Sequence, residues 1–448
     1  MLVLARMTGI SLCLRIAVVA FALSASLAAV GPASATMVQV AQLVDSGPPT
    51  PQANDKLGTA VALSADGTIA LAGQPYAVGY RGAVVVFAQS HGSWTRQARL
   101  GPGDGQGGVG DRFGQSVALS ADGTTAIVGA PHDDVPTTTG GDRVDQGSAV
   151  VFTRSGSTWV RQQLLVDSAG WGMDYFGVSV ALSADGNTAI VGAYRDDVDA
   201  RLDQGSAVVF TRSGDLWTQQ GKLVDSAGAL ADYFGFAVAL SGDGDTAVVG
   251  AYRDDISGRV DQGSATVFVR SAGAWTQQQQ LVNAAGAVRD YLSYSVALSA
   301  DGTTVILGAL MDDVGAHLDQ GSAEVFVRSG ASWTLQAQLT NSAGSASAEF
   351  GRSVAVSSHG NVAIVGGYPF GSPSGTAVRF SRSAATWRQT QTLMCPPGGP
   401  NDHFGSSVGL SIDGHTAIVG APLLDLPTAS ARISGADRGS AVVFVAHR

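Results

Sequence analysis

The sequence predicts an all-β fold: a seven-bladed β-propeller of four-stranded blades, its ring closed by an N-terminal strand joining the C-terminal blade. Three observations predict it. One unit recurs seven times along the 448 residues. Within a unit, short apolar runs are joined by turn signals, Asp-Gly foremost. The last unit lacks a strand that the N-terminal region can supply.

Composition agrees. Charged residues make up 14% of the chain, well under the globular average of about 25%. Glycine contributes 59 residues, about twice its usual share. A chain this apolar is not disordered. Beyond the N-terminus there is no run of 18 apolar residues, which excludes a multi-span helical membrane protein. The net charge of −10, with Lys56 and Lys222 as the only lysines, disfavours nucleic acid as a partner.

In chain order, Arg6 and Arg15 precede the apolar stretch Ile16–Val30, which ends near Ala33-Ser34-Ala35. A positive region, a short apolar core and a small-x-small site read as a Sec-type signal peptide over residues 1–35. Cleavage there leaves residues 36–448, a secreted or periplasmic chain with no transmembrane anchor. Cys13 departs with the signal. Cys395 is then the only cysteine, so packing alone must hold the protein.

The units start at Leu57, Phe113, Phe176, Phe234, Leu292, Phe350 and Phe404. Seven units of about 58 residues nearly exhaust the mature chain, leaving no room for a second domain. The third unit shows the plan. Ser179–Leu182 alternates and ends at Asp185-Gly186, read as a type I′ turn with both residues at positive φ. Thr188–Ala193 follows. A polar loop with Asp196, Asp197 and Asp203 leads to Gly205–Arg212. Ser213-Gly214 turns the chain into Trp217–Val224. Four short strands per unit, repeated seven times, build a propeller. The last unit stops after Gly439–Val445. Val38–Ser46 aligns with Thr218–Ser226, placing Met37 at the position of Trp217. Residues 37–45 should therefore complete the last blade.

Phe113-Gly114 followed by Gly129-Ala130-Pro131, and Phe404-Gly405 followed by Gly420-Ala421-Pro422, resemble the two halves of the FG-GAP repeat. Other units carry Gly-Ala-Tyr, Gly-Ala-Leu or Gly-Gly-Tyr at the second half. The resemblance covers the whole mature chain. It is to integrin α-chain-like propellers, and most of all to bacterial secreted FG-GAP repeat proteins with a Ser-Gly-x-x-Trp-x-x-Gln segment in each unit. It implies binding or adhesion, and it makes Ca2+ a possible cofactor. The integrin-type loop, however, holds several Asp or Asn side chains. Ser183–Ala189 and Ser241–Ala247 hold one or two carboxylates, too few for six to eight oxygen ligands, so those calcium sites are not carried over.

Other acids recur. Asp133/Asp134, Asp196/Asp197, Asp254/Asp255 and Asp312/Asp313 are each followed by Asp-Gln-Gly at Asp145, Asp203, Asp261 and Asp319. Such repetition points to loop architecture, with Asp accepting backbone N–H groups. The competing reading is a set of weak metal sites at Asp196, Asp197, Asp203, Asp254, Asp255 and Asp261. Asp55, Asp111, Asp174, Asp232, Asp290 and Asp402 stand two residues before a unit start, and Glu349 one residue before. These suit turns or contacts between blades. Tryptophans 94, 159, 217, 275, 333 and 387 open the outer strands and are expected to cover their own blades' edges. Trp171 lies outside the register and is a ligand-contact candidate. The histidines show no metal spacing, and Cys395 has no basic neighbour in sequence to activate it.

In a repeat protein, function should sit where units depart from the pattern. Between the second and third strands, units three to five have 11 residues, units two and seven 16 and 17, and units one and six 8 and 7. A low first blade between tall neighbours makes a notch bearing Tyr76, Tyr80 and Arg81, with His132 and Arg432 nearby. The expected function is a secreted, non-enzymatic binding or adhesion module for a protein or glycan ligand outside the cell. The alternative is a lyase or glycosidase acting on extracellular polysaccharide. The acids recur around the ring instead of forming one catalytic cluster, which weighs towards binding.

Overall fold

Each repeat unit folds into one four-stranded antiparallel sheet, and seven such sheets form the chain. The computed structural model describes residues 36–47, 52–103, 108–137, 140–368, 375–395, 402–425 and 437–447. The segment read as a signal, Cys13 and Arg432 lie outside them. In the third blade the strands are Ser179–Leu182, Thr188–Ala193, Ser206–Ser213 and Leu216–Leu223. The second is buried at every residue, because a neighbouring blade covers each face of the sheet. The fourth is polar and mostly accessible, being the outermost. The core lies between blades. One cluster joins Ile127 and Val151 of the second blade to Val191 and Val208 of the third.

The ring closes as the sequence predicts. Met37–Leu43 pairs antiparallel with Ser440–Ala446, which continues into Thr416–Ala421 and Val408–Leu410. Leu43 faces Ala441 as Leu223 faces Ala207, and both pairs of strands carry a bulge at the same place. Met37 thus stands where Trp217 stands. Among the described residues, no helix is long and apolar enough to cross a membrane.

The Phe-Gly pair docks each blade on the one before it. Phe234 is fully buried, and its backbone bridges Gly205 of the preceding blade. The Ser179 hydroxyl donates to the Gly235 carbonyl at 2.8 Å. A Cβ on Gly192 would run into that same carbonyl oxygen, so the approach requires a residue without a side chain. The ring seam repeats the contact, with Ser407 donating to Gly58 at 2.8 Å.

Two expectations change. The tryptophans tie blades together instead of simply covering their own edges. From the second blade to the sixth, the indole N–H donates to a Gln of the preceding blade, as in Trp217 to Gln162 at 2.9 Å, Trp275 to Gln220 at 3.1 Å and Trp333 to Gln278 at 3.0 Å. Arg212 covers the Trp217 ring from 5.5 Å. Val40 occupies the equivalent Gln position at the seam, and the Trp94 indole N–H has no acceptor among the described residues.

The Asp-Gly hairpins are likewise not type I′. Gly186 takes φ 65 while Asp185 keeps negative φ. Ser183 and Gly186 close a turn inside a wider loop, because the Asp185 carboxylate accepts from the Ser183 hydroxyl and the Asn187 N–H. That bonding satisfies the loop without a second left-handed residue.

The first strands pack on one another around a central channel. At the Asp-Gly end, a cavity of about 250 Å³ is lined by Leu63, Leu119, Leu182, Leu240, Leu298, Val356 and Leu410. The turns there are linked by backbone hydrogen bonds in one continuous circuit. Ala65 donates to Ala121, Ala121 to Ala184, Ala184 to Gly242 and Gly242 to Ala300. Asp301 donates to Ser358, Ser358 to Ile412 and Ile412 back to Ala65.

Candidate functional site

The loops after the second strands and the loops between blades share the opposite face of the ring. Each departs from regular structure at the same places. The Asp of Asp-Gln-Gly is left-handed (Asp145, Asp203, Asp261 and Asp319, φ 51 to 54), and so is the residue before each unit start. Left-handed backbone at both positions lets the two loops run side by side, as in the bond from Tyr233 N–H to the Asp203 carbonyl.

The paired aspartates hold these loops. Asp196 is buried and accepts from the Ser206 hydroxyl and the Lys222 ammonium. Lys222 also reaches Asp167 at 2.8 Å. Burial alone would depress this ammonium, but its bonds to Asp167 and Asp196 raise it above the ordinary value. Asp197 accepts the Asp203 N–H at 2.8 Å. In the next blade Asp254 accepts from Ser264 and Gln280, and Asp255 accepts the Asp261 N–H at 2.8 Å. Among the described residues, no three His, Cys, Asp or Glu side chains gather as a metal ion needs.

The acids before the unit starts are also buried. Burial pushes Asp174 up to about 7, against the Trp171 N–H that it accepts and with Asp196 adding to the rise. Burial likewise brings Asp111, Asp232 and Asp290 to about 6. Glu324, buried in the fifth blade near Asp312, reaches about 8. Cys395 is buried and raised to about 11 by burial, with Asp402 adding to the effect, an inert thiol.

Just inside these acids runs a collar of aromatic and cationic side chains. His132 packs against Tyr175 at 4.9 Å, Tyr175 stacks on Tyr194 at 5.4 Å, and Tyr194 meets Tyr233 at 5.2 Å. Tyr233 leads to Tyr252 at 5.8 Å, and Phe236 lies 4.6 Å from Tyr252 and 5.0 Å from Tyr294. Arg352 lies over Tyr294 at 5.5 Å and over Tyr368 at 4.6 Å, and Tyr368 stacks on His403 at 4.0 Å. Lys56, whose charge His403 feels, lies 4.4 Å over Tyr76. Arg112 lies 5.5 Å from the same ring, and its charge reaches His132. Arg195 and Arg253 cover the tyrosines of the third and fourth blades. Burial raises Tyr252 and Tyr368 to about 12, against Arg253 and Arg352 respectively, so both phenols stay neutral.

Of the sequence candidates, Tyr76 belongs to this collar. Tyr80 packs edge-on against Tyr76 at 5.4 Å and is half exposed beside the exposed Arg81. His132 is in the collar and bonded to Asp145 at 2.9 Å. Trp171 is 69% exposed, with Arg143 at 5.6 Å over its ring, on a loop between blades. The second blade's long loop adds a small ladder, Val135–Pro136 with Asp142–Arg143. Sequence reading missed the rest of the collar. Its signal was the residue before each unit start and the tyrosine after Gly-Ala.

A family model described as FG-GAP repeat matches residues 94–152, 159–210, 217–268, 275–326, 333–377 and 387–444. Among curated proteins, no relative matches the chain.

Proposed function

Since the chain belongs to the FG-GAP repeat family, we propose that it is a non-enzymatic binding or adhesion module whose collar face receives a protein or glycan ligand. The aromatic and cationic collar carries this reading. Tyrosine and arginine dominate the energetics of binding surfaces because they combine apolar area, hydrogen bonding and charge. Here they are held rigidly by stacking at the mouth of a ring, where a ligand meets many blades at once. We further propose that residues 1–35 direct the chain out of the cytoplasm.

A protein and glycan array probed with the purified protein tests the first reading, with and without a chelator. Binding that disappears in Tyr194→Ala/Tyr252→Ala supports it. Turnover of a polysaccharide would overturn the non-enzymatic assignment. Terminal sequencing of exported protein tests the second, with Thr36 expected first.

A further inference from the structure

We propose that the part of the collar carried by the first blade is an anion-accepting site, and that it takes a carboxylate-rich peptide segment of a protein partner. The inference rests on the collar being the binding face. Its basis is a set of acids that the first blade has exchanged and that the sixth blade's loop, residues 368–374, also lacks.

The equivalence of positions follows from backbone bonds. Gly82 donates to the Ala77 carbonyl as Gly205 donates to the Asp196 carbonyl, at 3.0 and 2.9 Å. Tyr80 accepts from Arg112 as Asp203 accepts from Tyr233, and Tyr80 and Asp203 are both left-handed, at φ 66 and 54. Ala77, Val78 and Tyr80 therefore replace Asp196, Asp197 and Asp203. All three acids of the loop are gone. The cations remain: Lys56 and Arg112 lie over Tyr76, and Arg81 is exposed. Among the described residues, no carboxylate forms an ion pair with Lys56, Arg81 or Arg112. Asp111 feels the charge of Arg81, but no described carboxylate reaches it as an ion pair; in the third and fourth blades the loop acids themselves act on the cations, Asp203 on Arg195 and Asp261 on Arg253. One sector of an otherwise balanced collar is thus positive.

The turn is also held in an unfavourable shape. Val78, a β-branched residue, takes φ 54, a region such residues avoid. It presents half-exposed Val78 and Tyr80 next to the three cations. Because Lys56 and Arg112 already lie over the Tyr76 ring, that ring is a poor platform for a sugar. Apolar and tyrosyl contact beside unpaired cations suits an acidic peptide.

The test is fluorescence anisotropy of a labelled oligoglutamate peptide with the full protein at low salt. Lys56→Gln/Arg112→Gln is expected to weaken binding on the order of tenfold. Tyr80→Asp restores the acid that other blades carry at this left-handed position, so the fold accepts it. It should weaken binding similarly, whereas Tyr80→Asn, alike in shape and neutral, should weaken it less. Rising salt should weaken binding further. Absence of oligoglutamate binding overturns the proposal, as do equal affinities for Tyr80→Asp and Tyr80→Asn, or tighter binding of polygalacturonate than of oligoglutamate. Array ligands lost with Tyr194→Ala/Tyr252→Ala but retained by Tyr80→Asp would leave the collar reading standing and remove this one.

Discussion

Gln391 holds Met37 by both ends of its peptide, 354 residues away in the chain: the side-chain Oε1 accepts the Met37 N–H and Nε2 donates to the Met37 carbonyl, both at 2.7 Å. Gln163 grips Trp217 in the same way, at 2.9 and 2.8 Å. The N-terminal strand is therefore fastened to the sixth blade as well as paired within the seventh. Gln391→Ala should lower stability by about 1–3 kcal/mol, the worth of two hydrogen bonds. Removing residues 37–45 should do far more, since Ser440–Ala446 becomes an unpaired edge. Equilibrium denaturation measures both. A truncated protein as stable as the parent would contradict the closure.

Lys222 bridges Asp167 and Asp196, while the equivalent residue of the next blade, Gln280, donates to Asp254. Lys222→Ala should destabilise by roughly 2–4 kcal/mol, because it strands buried carboxylates. Lys222→Gln should recover part of that by copying the fourth blade. Equal losses in a denaturation series would show that the ion pair alone matters.

Stability should depend on pH with a definite sign. Asp111, Asp174, Asp232, Asp290 and Glu324 have folded values of about 6 to 8, above their ordinary 3.8 and 4.5. Their contribution is complete below the ordinary values and is lost as pH rises through the folded ones. Asp66, Asp122, Asp185 and Asp413 act oppositely. Burial would raise them, but hydrogen bonds in the Asp-Gly loops hold them below 3.8, so their contribution is lost in stronger acid. For these groups the optimum should lie near about pH 4. Glu324→Gln should raise the Tm above about pH 8, raise it less near pH 6, and change it little near pH 4. A Tm that rises from pH 6 to 8.5 would refute the assignment.

Two glycines of the third blade should respond in opposite ways. Gly192→Ala forces a Cβ into the Gly235 carbonyl and the Ser179 hydroxyl, and should destabilise by at least about 2–3 kcal/mol. Gly221, on the outer strand, has open space at its Cβ and ordinary φ. Gly221→Ala should be neutral or stabilise by up to about 1 kcal/mol. Thermal unfolding of both variants checks the contrast.

The sequence made the blades and the closure legible because those features are local or periodic. Ser179–Leu182 and Thr188–Ala193 were readable from the apolar runs beside Asp185-Gly186, and Met37–Leu43 from its likeness to Trp217–Leu223. The turn type was not readable, since a carboxylate bonded to Ser183 and Asn187 removes the need for a second left-handed residue. The Trp217–Gln162 bond spans two blades, and only the ring brings Trp-x-x-Gln of one unit onto the next. The collar was hidden for the same reason. Tyr175, Tyr194 and Tyr233 are unremarkable singly and meet only when successive units turn about a shared axis. Tyr76 and Tyr80 were reachable from loop length, but the missing acids around them became visible only once backbone bonds fixed which positions correspond.

The backbone circuit from Ala65 through Ile412 and back has a further electrical consequence. Its seven amides point head to tail around the channel, so the parts of their dipoles that lie along the circle cancel across it. That circuit adds no net dipole across the mouth, whose charge comes instead from the carboxylates of the Asp-Gly loops, Asp66, Asp122, Asp185 and Asp413 among them. The collar at the other mouth carries discrete charges. The two ends therefore differ through their side chains and not through this backbone circuit: carboxylates held ionised rim the Asp-Gly mouth, while arginines and Lys56 lie over tyrosines at the collar.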